Sequence, residues 1–362
     1  MSESDGAPRG PRLDRRHLIS GLGGALGGNA LGGGVVGATT WNTGGLADGR
    51  YHNPPGSPKS GGGFSDWSGF FWRRLVRPSS APVIPAGHLL PSGAALAGWQ
   101  ALEGKDAILW LGHASFLVRL AGKTVLIDPF LSERASPFVR FGPKRFAPPG
   151  LDVEQLPKLD LLLLSHNHYD HLDLPALRRL AALQQPPLIT TLGVSRYLEG
   201  LPFKPTLEIG WGQSVSQAGL EIEAVPAIHF SKRTLFDRNR TLWCGYVLKG
   251  GGRSVYFTGD TAFGPVFADL AERLAPPDLA LVPIGAYAPR ALMRGVHCMP
   301  EEGVAIGKTV QAKKLCGMHW GTIALTDEPP FEPPGRFAQA AFASGYAPED
   351  AFVLPIGGSR AF

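Results

Sequence analysis

Cysteine is scarce in this 362-residue sequence, which contains Cys244, Cys298 and Cys316 and no CxxC pair. An odd, scattered set excludes a disulfide framework and a thiolate metal site, and leaves three buried, unreactive thiols as the reading. Charge is thin as well. Charged residues make up 18%, the formal net charge is +5, and Lys and Arg nowhere run densely. That excludes a nucleic-acid-binding surface and leaves a weak preference for anionic partners. Long apolar runs are also missing. The uncharged stretch from Leu18 to about Ala38 is too rich in Gly to make a stable membrane-spanning helix. What is plentiful is Gly (48), Pro (33) and hydrophobic side chains (44%), a composition and length able to bury a sizeable core.

Three segments follow from the pattern. Residues 1–38 begin polar and continue with Arg15-Arg16-His17-Leu18-Ile19 ahead of the mild apolar run. They resemble a bacterial twin-arginine export signal, with Val36-Gly37-Ala38 as small residues for cleavage. Asp14 stands where that signal usually has Ser or Thr. Export implies a periplasmic or membrane-associated protein, whereas a plain flexible tail would leave it cytoplasmic. Residues 39–100 form a Gly/Pro-rich extension. Within it, Phe64, Trp67, Phe70, Phe71 and Trp72 precede Arg73, Arg74 and Arg77. Aromatics beside cations suit peripheral membrane contact, and equally suit a short helix docked on the main domain. Residues 101–362 are the main domain.

In that domain short β-rich runs alternate with helical stretches. Strands are expected at 108–111, 116–120, 124–127, 161–164, 221–225, 242–248, 254–258, 279–283 and 315–318. Helices are expected at 175–183, 263–274 and 300–310. The run Leu161–Leu164 is apolar throughout, as in a strand covered on both faces. The alternation predicts an α/β fold with sheets inside and helices outside.

The chemistry concentrates in Ser165-His166-Asn167-His168-Tyr169-Asp170-His171-Leu172-Asp173, directly after that run. In extended backbone, residues two apart share a side, so His166 and His168 can grip one cation while Asp170 and His171 reach a second. Imidazole and carboxylate are ligands that zinc favours. Three more such residues stand just after predicted strands: His229, Asp260 and His319. Ligand sites of open α/β folds gather outside strand ends.

These residues resemble the metal motif of the metallo-β-lactamase superfamily. Trp110-Leu111-Gly112-His113-Ala114-Ser115, the segment from His229 to Asp237, Pro283-Ile284-Gly285-Ala286-Tyr287-Ala288-Pro289-Arg290 and His319-Trp320-Gly321-Thr322 are similar to the N-acyl-phosphatidylethanolamine-hydrolysing phospholipase D family and its bacterial relatives. The similarity covers roughly residues 100–362, with a weaker echo at 51–58. It implies an αββα sandwich holding two zinc ions, one by His166, His168 and His229, the other by Asp170, His171 and His319, with Asp260 bridging both. It further implies that a hydroxide shared by the metals attacks phosphorus, releasing an N-acylethanolamine and leaving phosphatidic acid. Asp170 would help orient that hydroxide. His297 matches a pocket histidine of the family and is assigned to the substrate phosphate, and Tyr287, with His113 and Asp128, to the surroundings of the ligands or the substrate. Around the ligands, Asp128 is expected to accept a bond from a metal-bound histidine and His113 to line the cleft.

One departure stands out. Where the family usually has Asp or Asn before Pro300-Glu301-Glu302, this sequence has Met299, which cannot cap a helix in the same way. The same metals would also serve hydrolysis of a lactone, a cyclic phosphate or another soluble ester, because one scaffold hosts many chemistries. A non-catalytic exported metal- or lipid-binding protein is a third reading, which the full ligand set argues against. Oligomeric state is not legible in the sequence.

Overall fold

A computed structural model describes residues 35–36, 44–76, 82–138 and 140–362. The Arg15-Arg16 pair, the Gly37-Ala38 end of the small-residue site and Arg77 lie outside them. In chain order come β1 (Val35–Val36), β2 (Gly44–Ala47), β3 (Arg50–His52), α1 (Phe64–Val76), α2 (Ser92–Gln100), β4 (Ala107–Gly112), β5 (Ser115–Leu120) and β6 (Lys123–Ile127). Then follow β7 (Leu161–Leu164), α3 (Leu174–Leu183), β8 (Leu188–Thr191), β9 (Thr206–Ile209), β10 (Ser214–Gln217), β11 (Leu220–Val225), β12 (Gly245–Gly250), β13 (Arg253–Phe257) and α4 (Val266–Ala271). The chain ends with β14 (Leu279–Pro283), α5 (Arg290–Met293), α6 (Pro300–Thr309), β15 (Leu315–Met318), α7 (Pro333–Ala343), β16 (Ala351–Phe352) and β17 (Ser359–Ala361).

Two mixed sheets result. One runs β1-β10-β11-β12-β13-β14-β15-β16, the other β17-β4-β5-β6-β7-β8-β9, and β2 pairs with β3. The apolar run of β7 shows why the layers stack as they do. Leu161 and Leu163 join a core shared with Ile222, Tyr246 and Phe257 of the first sheet. Leu162 and Leu164 point the other way, onto Ala95 and Trp99 of α2 and Leu177 and Leu180 of α3. Val304 and Ile306 of α6 and Phe337 of α7 pack onto the first sheet. Sheets lie inside and helices outside, an αββα sandwich of the α/β class.

Two expected elements are shorter than the sequence implied. Strand β12 starts at Gly245 rather than 242. The backbone N–H groups of Leu242 and Cys244 instead bond to Leu192 O and Ser165 O, tying this segment to the metal motif. Helix α4 covers Val266–Ala271 only, beginning after Pro265. The described parts of residues 39–100, read above as an extension, bond to and pack against the main domain. Gly61 N donates to Ala291 O, Leu90 N to Ile356 O, and Trp99 is buried among the core leucines.

Candidate metal centre

Strand β7 delivers the motif. Just past it, the N–H groups of His171 and Leu172 both bond to His168 O, which folds the segment back into a turn. Asp173 then N-caps α3, accepting from Ala176 N at 3.0 Å. The same carboxylate accepts from Leu131 N, Ser132 N and Ser132 Oγ, so the turn is fixed from two directions. A capped helix start of this kind is worth about 1 kcal/mol.

Two clusters of donor atoms meet at this turn. His166 Nε2 lies 2.9 Å from His168 Nδ1, and His229 Nε2 lies 3.2 Å from that same atom. In the second cluster Asp170 Oδ2 stands 3.7 Å from His171 Nε2 and 3.8 Å from His319 Nε2. Asp260 Oδ2 sits between them, at 3.0 Å from His319, 3.2 Å from His171, 3.7 Å from His229 and 4.0 Å from His166. Only a glycine fits directly before Asp260. Gly259 has φ +63°, and a Cβ there would approach the Cys244 carbonyl oxygen to 2.5 Å.

The outer atoms of these side chains are held. His171 Nδ1 and Asp128 Oδ2 are 2.8 Å apart; Asp128 Oδ2 also accepts from Ser165 Oγ, which stands 2.9 Å from His166 Nδ1. His229 Nδ1 donates to Val296 O at 2.8 Å. His113 Nε2 holds Asp170 Oδ2 at 2.8 Å, and His113 O accepts from His319 N. His113, Asp128 and His319 all have φ between 42° and 63°, a left-handed backbone costing about 1–3 kcal/mol at a non-glycine residue. Such conformations persist where the surroundings fix them.

The inward atoms are the opposite. His171 Nε2, His319 Nε2 and Asp260 Oδ1 are buried without a hydrogen-bond partner. A buried polar atom left unpaired costs about 1–3 kcal/mol, so several together in one pocket require something to satisfy them. Nitrogen and oxygen donors aimed at shared points fit divalent cations. The electrostatics agree. Burial lowers the ring pKa of His166 and His229, and brings His168 to about 4, so all three are neutral and able to ligate. Burial lowers that of His171 too, but the carboxylates of Asp260, Asp170 and Asp128 outweigh it and hold the ring well above its ordinary value. Asp170 and Asp260 are ionised, because burial, which raises their pKa, is exceeded by His171 and its neighbours. Here a proton stands in for positive charge that this carboxylate-rich pocket demands.

A profile of the family described as the beta-lactamase superfamily domain matches residues 123–320, which takes in every one of these donors. The chain belongs to the β-lactamase superfamily. The N-acyl-phosphatidylethanolamine-hydrolyzing phospholipase D 1 of Caenorhabditis elegans is 39% identical over 257 residues, covering 67% of this chain and 72% of that one. A metal-dependent hydrolase of Methanopyrus kandleri is 32% identical over 230 residues, covering 62% and 88%. Among solved structures, Igni18, a metallo hydrolase of the archaeon Ignicoccus hospitalis, matches with TM-score 0.52 at 22% identity over 71% of this chain and 98% of that one, a likeness of fold. This superfamily member is a metal-dependent hydrolase with its donors gathered between the ends of two sheets.

The remaining predicted residues fall into place unequally. His297 joins the centre, its ring 5.1 Å from that of His229 and 5.2 Å from that of His319, with Nδ1 buried and unpartnered. Tyr287 donates its hydroxyl to Glu332, and its ring lies beneath Arg336. Met299 does stand at the N-cap of α6, and Glu302 compensates for the lost side-chain cap by accepting from Met299 N at 2.9 Å. Arg290 clamps Glu302 and donates to His297 O at 2.7 Å, so the histidine stays fixed. Sequence reasoning missed Asn53, whose side chain bonds both the N–H and the C=O of His229. The echo of family pattern at 51–58 was the signal available for it.

Proposed function

We propose that this protein is a dinuclear zinc phosphodiesterase of phospholipase D type, acting on N-acyl-phosphatidylethanolamine-like lipids. The observation that carries the metal count is the pair of converging donor clusters, three histidines on one side and Asp170, His171 and His319 on the other, with Asp260 between. The donors are nitrogen and oxygen only, the set zinc accepts. The substrate class rests on similarity to the C. elegans phospholipase.

Bound at these positions, two divalent ions would acidify a water and offset charge on phosphoryl oxygens. The protein's own work is orientation. Asp128 and Val296 O fix the rings of His171 and His229, and His113 holds Asp170 Oδ2, the oxygen that stands nearest His171 and His319. His297 presents a neutral ring nitrogen toward substrate, burial having lowered its pKa to about 3. In the reaction, water oxygen bonds to phosphorus, the bond to the ethanolamine oxygen breaks, and that oxygen leaves with a proton as N-acylethanolamine. We also propose that Arg15-Arg16 direct export of the folded protein to the periplasm.

Elemental analysis of freshly purified protein together with turnover on an N-acyl-phosphatidylethanolamine, a lactone panel and bis-(p-nitrophenyl) phosphate tests the reading. Two zinc per chain and preference for the lipid are expected. One metal, or turnover confined to lactones, would replace it with a soluble-ester hydrolase.

A further inference from the structure

Four large apolar side chains project from two loops beside the metal motif. Phe138 and Phe141 are 64% and 73% exposed, and Leu235 and Phe236 are 81% and 82% exposed. Single exposed hydrophobics are ordinary, but paired ones at the tips of two well-tied loops are not. The first loop is closed below its tip by Ala135 N to Pro143 O, Arg145 N to Glu133 O and Arg134 Nη1 to Gly142 O. The second is wound about Asp237, which accepts from Arg233 N, Thr234 N and the Tyr197 hydroxyl. Both loops are tied by these bonds and still hold Phe138, Phe141, Leu235 and Phe236 in water.

One residue joins the loops to the catalytic centre. Tyr169 packs against Phe130 and Ala135 at the base of the first loop. Its hydroxyl donates to Arg233 O of the second at 3.0 Å, and the Arg233 guanidinium lies 3.9 Å from its ring centre. Tyr169 stands between the donors His168 and Asp170, so the bases of both loops are tied to the metal motif.

Charge identifies what they meet. Residues 131–146 carry Arg134, Arg140, Lys144 and Arg145 against Glu133 alone; residues 230–241 carry Lys232, Arg233, Arg238 and Arg240 against Asp237 alone. The whole chain is far more balanced, at 35 basic to 30 acidic residues. Arg140, Lys144, Lys232, Arg238 and Arg240 are exposed beside the apolar tips. A second copy of this chain would set like charge against like. An anionic bilayer takes both features, apolar tips into the acyl boundary and cations onto headgroups. We propose that the two loops form a rim that seats the metal pocket on an anionic lipid surface, an inference that rests on the lipid-substrate reading above for its purpose.

The test is co-sedimentation of the full-length, metal-loaded protein with phosphatidylcholine vesicles, with and without about 30 mol% phosphatidylglycerol. Wild type should bind the anionic vesicles. The triple variant Phe138→Ser, Phe141→Ser, Phe236→Ser should lose about tenfold or more in partitioning at unchanged metal content. A second variant, Arg140→Glu with Lys232→Glu, should lose binding to anionic vesicles. Wild type that fails to bind, variants that bind like wild type, or a triple variant that instead turns a dimer into a monomer would each overturn the rim. Vesicle binding without lipid turnover would leave the rim standing and sink the phospholipase reading.

Discussion

Asn53 and His229 hold each other by two hydrogen bonds, His229 N to Asn53 Oδ1 and Asn53 Nδ2 to His229 O, both 2.9 Å. Asn53 Oδ1 also accepts from Trp243 Nε1 at 3.1 Å. A residue 176 positions earlier thus sets the backbone of a metal donor, and Val296 O sets its ring. Asn53→Ala should unpair two backbone groups, cost about 1–3 kcal/mol of stability and weaken metal affinity. Titration of the metal-free variant with zinc, beside a thermal melt, measures both; unchanged affinity would show that Val296 alone suffices.

Asp260 is the carboxylate shared by both clusters. Asp260→Asn removes the charge that would lie between two dications, so the variant should lose metal and at least about 100-fold in turnover while keeping its fold. Metal content and circular dichroism read the two effects separately. Wild-type metal content in the variant would show the bridge to be misassigned.

Asp128 reaches both clusters, His171 directly and His166 through the Ser165 hydroxyl. Asp128→Asn should lower metal affinity about 10–100-fold, and Ser165→Ala should fall less and mainly at the cluster of His166. Competition with a chelator of known affinity gives the two values. Equal, small losses in both would place Asp128 in a purely structural role.

Acid should destabilise the metal-free protein well before its carboxylates protonate. Burial lowers five histidines of the site, His113 and His297 to about 3, His168 to about 4, and His166 and His229 well below their ordinary value. The unfolded chain takes up protons at these rings near pH 6.5, the folded chain only lower, so stability falls as pH drops through that interval. His171 is raised and acts oppositely, its contribution being full below its unfolded pKa and lost as pH rises. Asp170 and Asp260 are lowered and lose their contribution only below about pH 3.8. Five rings outweigh one, so the Tm of chelated protein should fall from about pH 7 to about pH 4.5. A flat profile would contradict it.

The donor types announced themselves in the sequence because metal chemistry demands particular side chains at particular spacings, and because each followed a run that reads as a strand. What positions them was legible only in part. Asp128 and His113 were expected around the ligands, and the pair His171–Asp128 is present, but the bonds made by Asn53, the Val296 carbonyl and His113 to Asp170 arise from pairings across the fold that residue type does not specify. Helix α1 shows an intermediate case. Its aromatic content was legible, but only the structure separates Phe70, buried against Leu292 and Met293, from Trp72, which is 62% exposed. Tyr287 shows the limit of resemblance, since a shared motif did not reveal its bond to Glu332.

The export proposal has its own check. Changing Arg15 and Arg16 to Lys should hold the protein in the cytoplasm at full size, because the twin-arginine route reads the guanidinium pair. Cleaved variant in the periplasm would remove that route.

The donors divide between the sheets: His166, His168, Asp170 and His171 follow β7 of one, whereas His229, Asp260 and His319 follow β11, β13 and β15 of the other. Filling the centre with cations therefore cross-links segments up to 153 positions apart, from His166 to His319. In a chain whose three cysteines are all buried and unpaired, coordination does what disulfides do elsewhere, closing long loops that the unfolded chain would leave free. Chelation should then speed unfolding as well as stop hydrolysis, with the two halves of the sandwich parting along the seam where the cations sat.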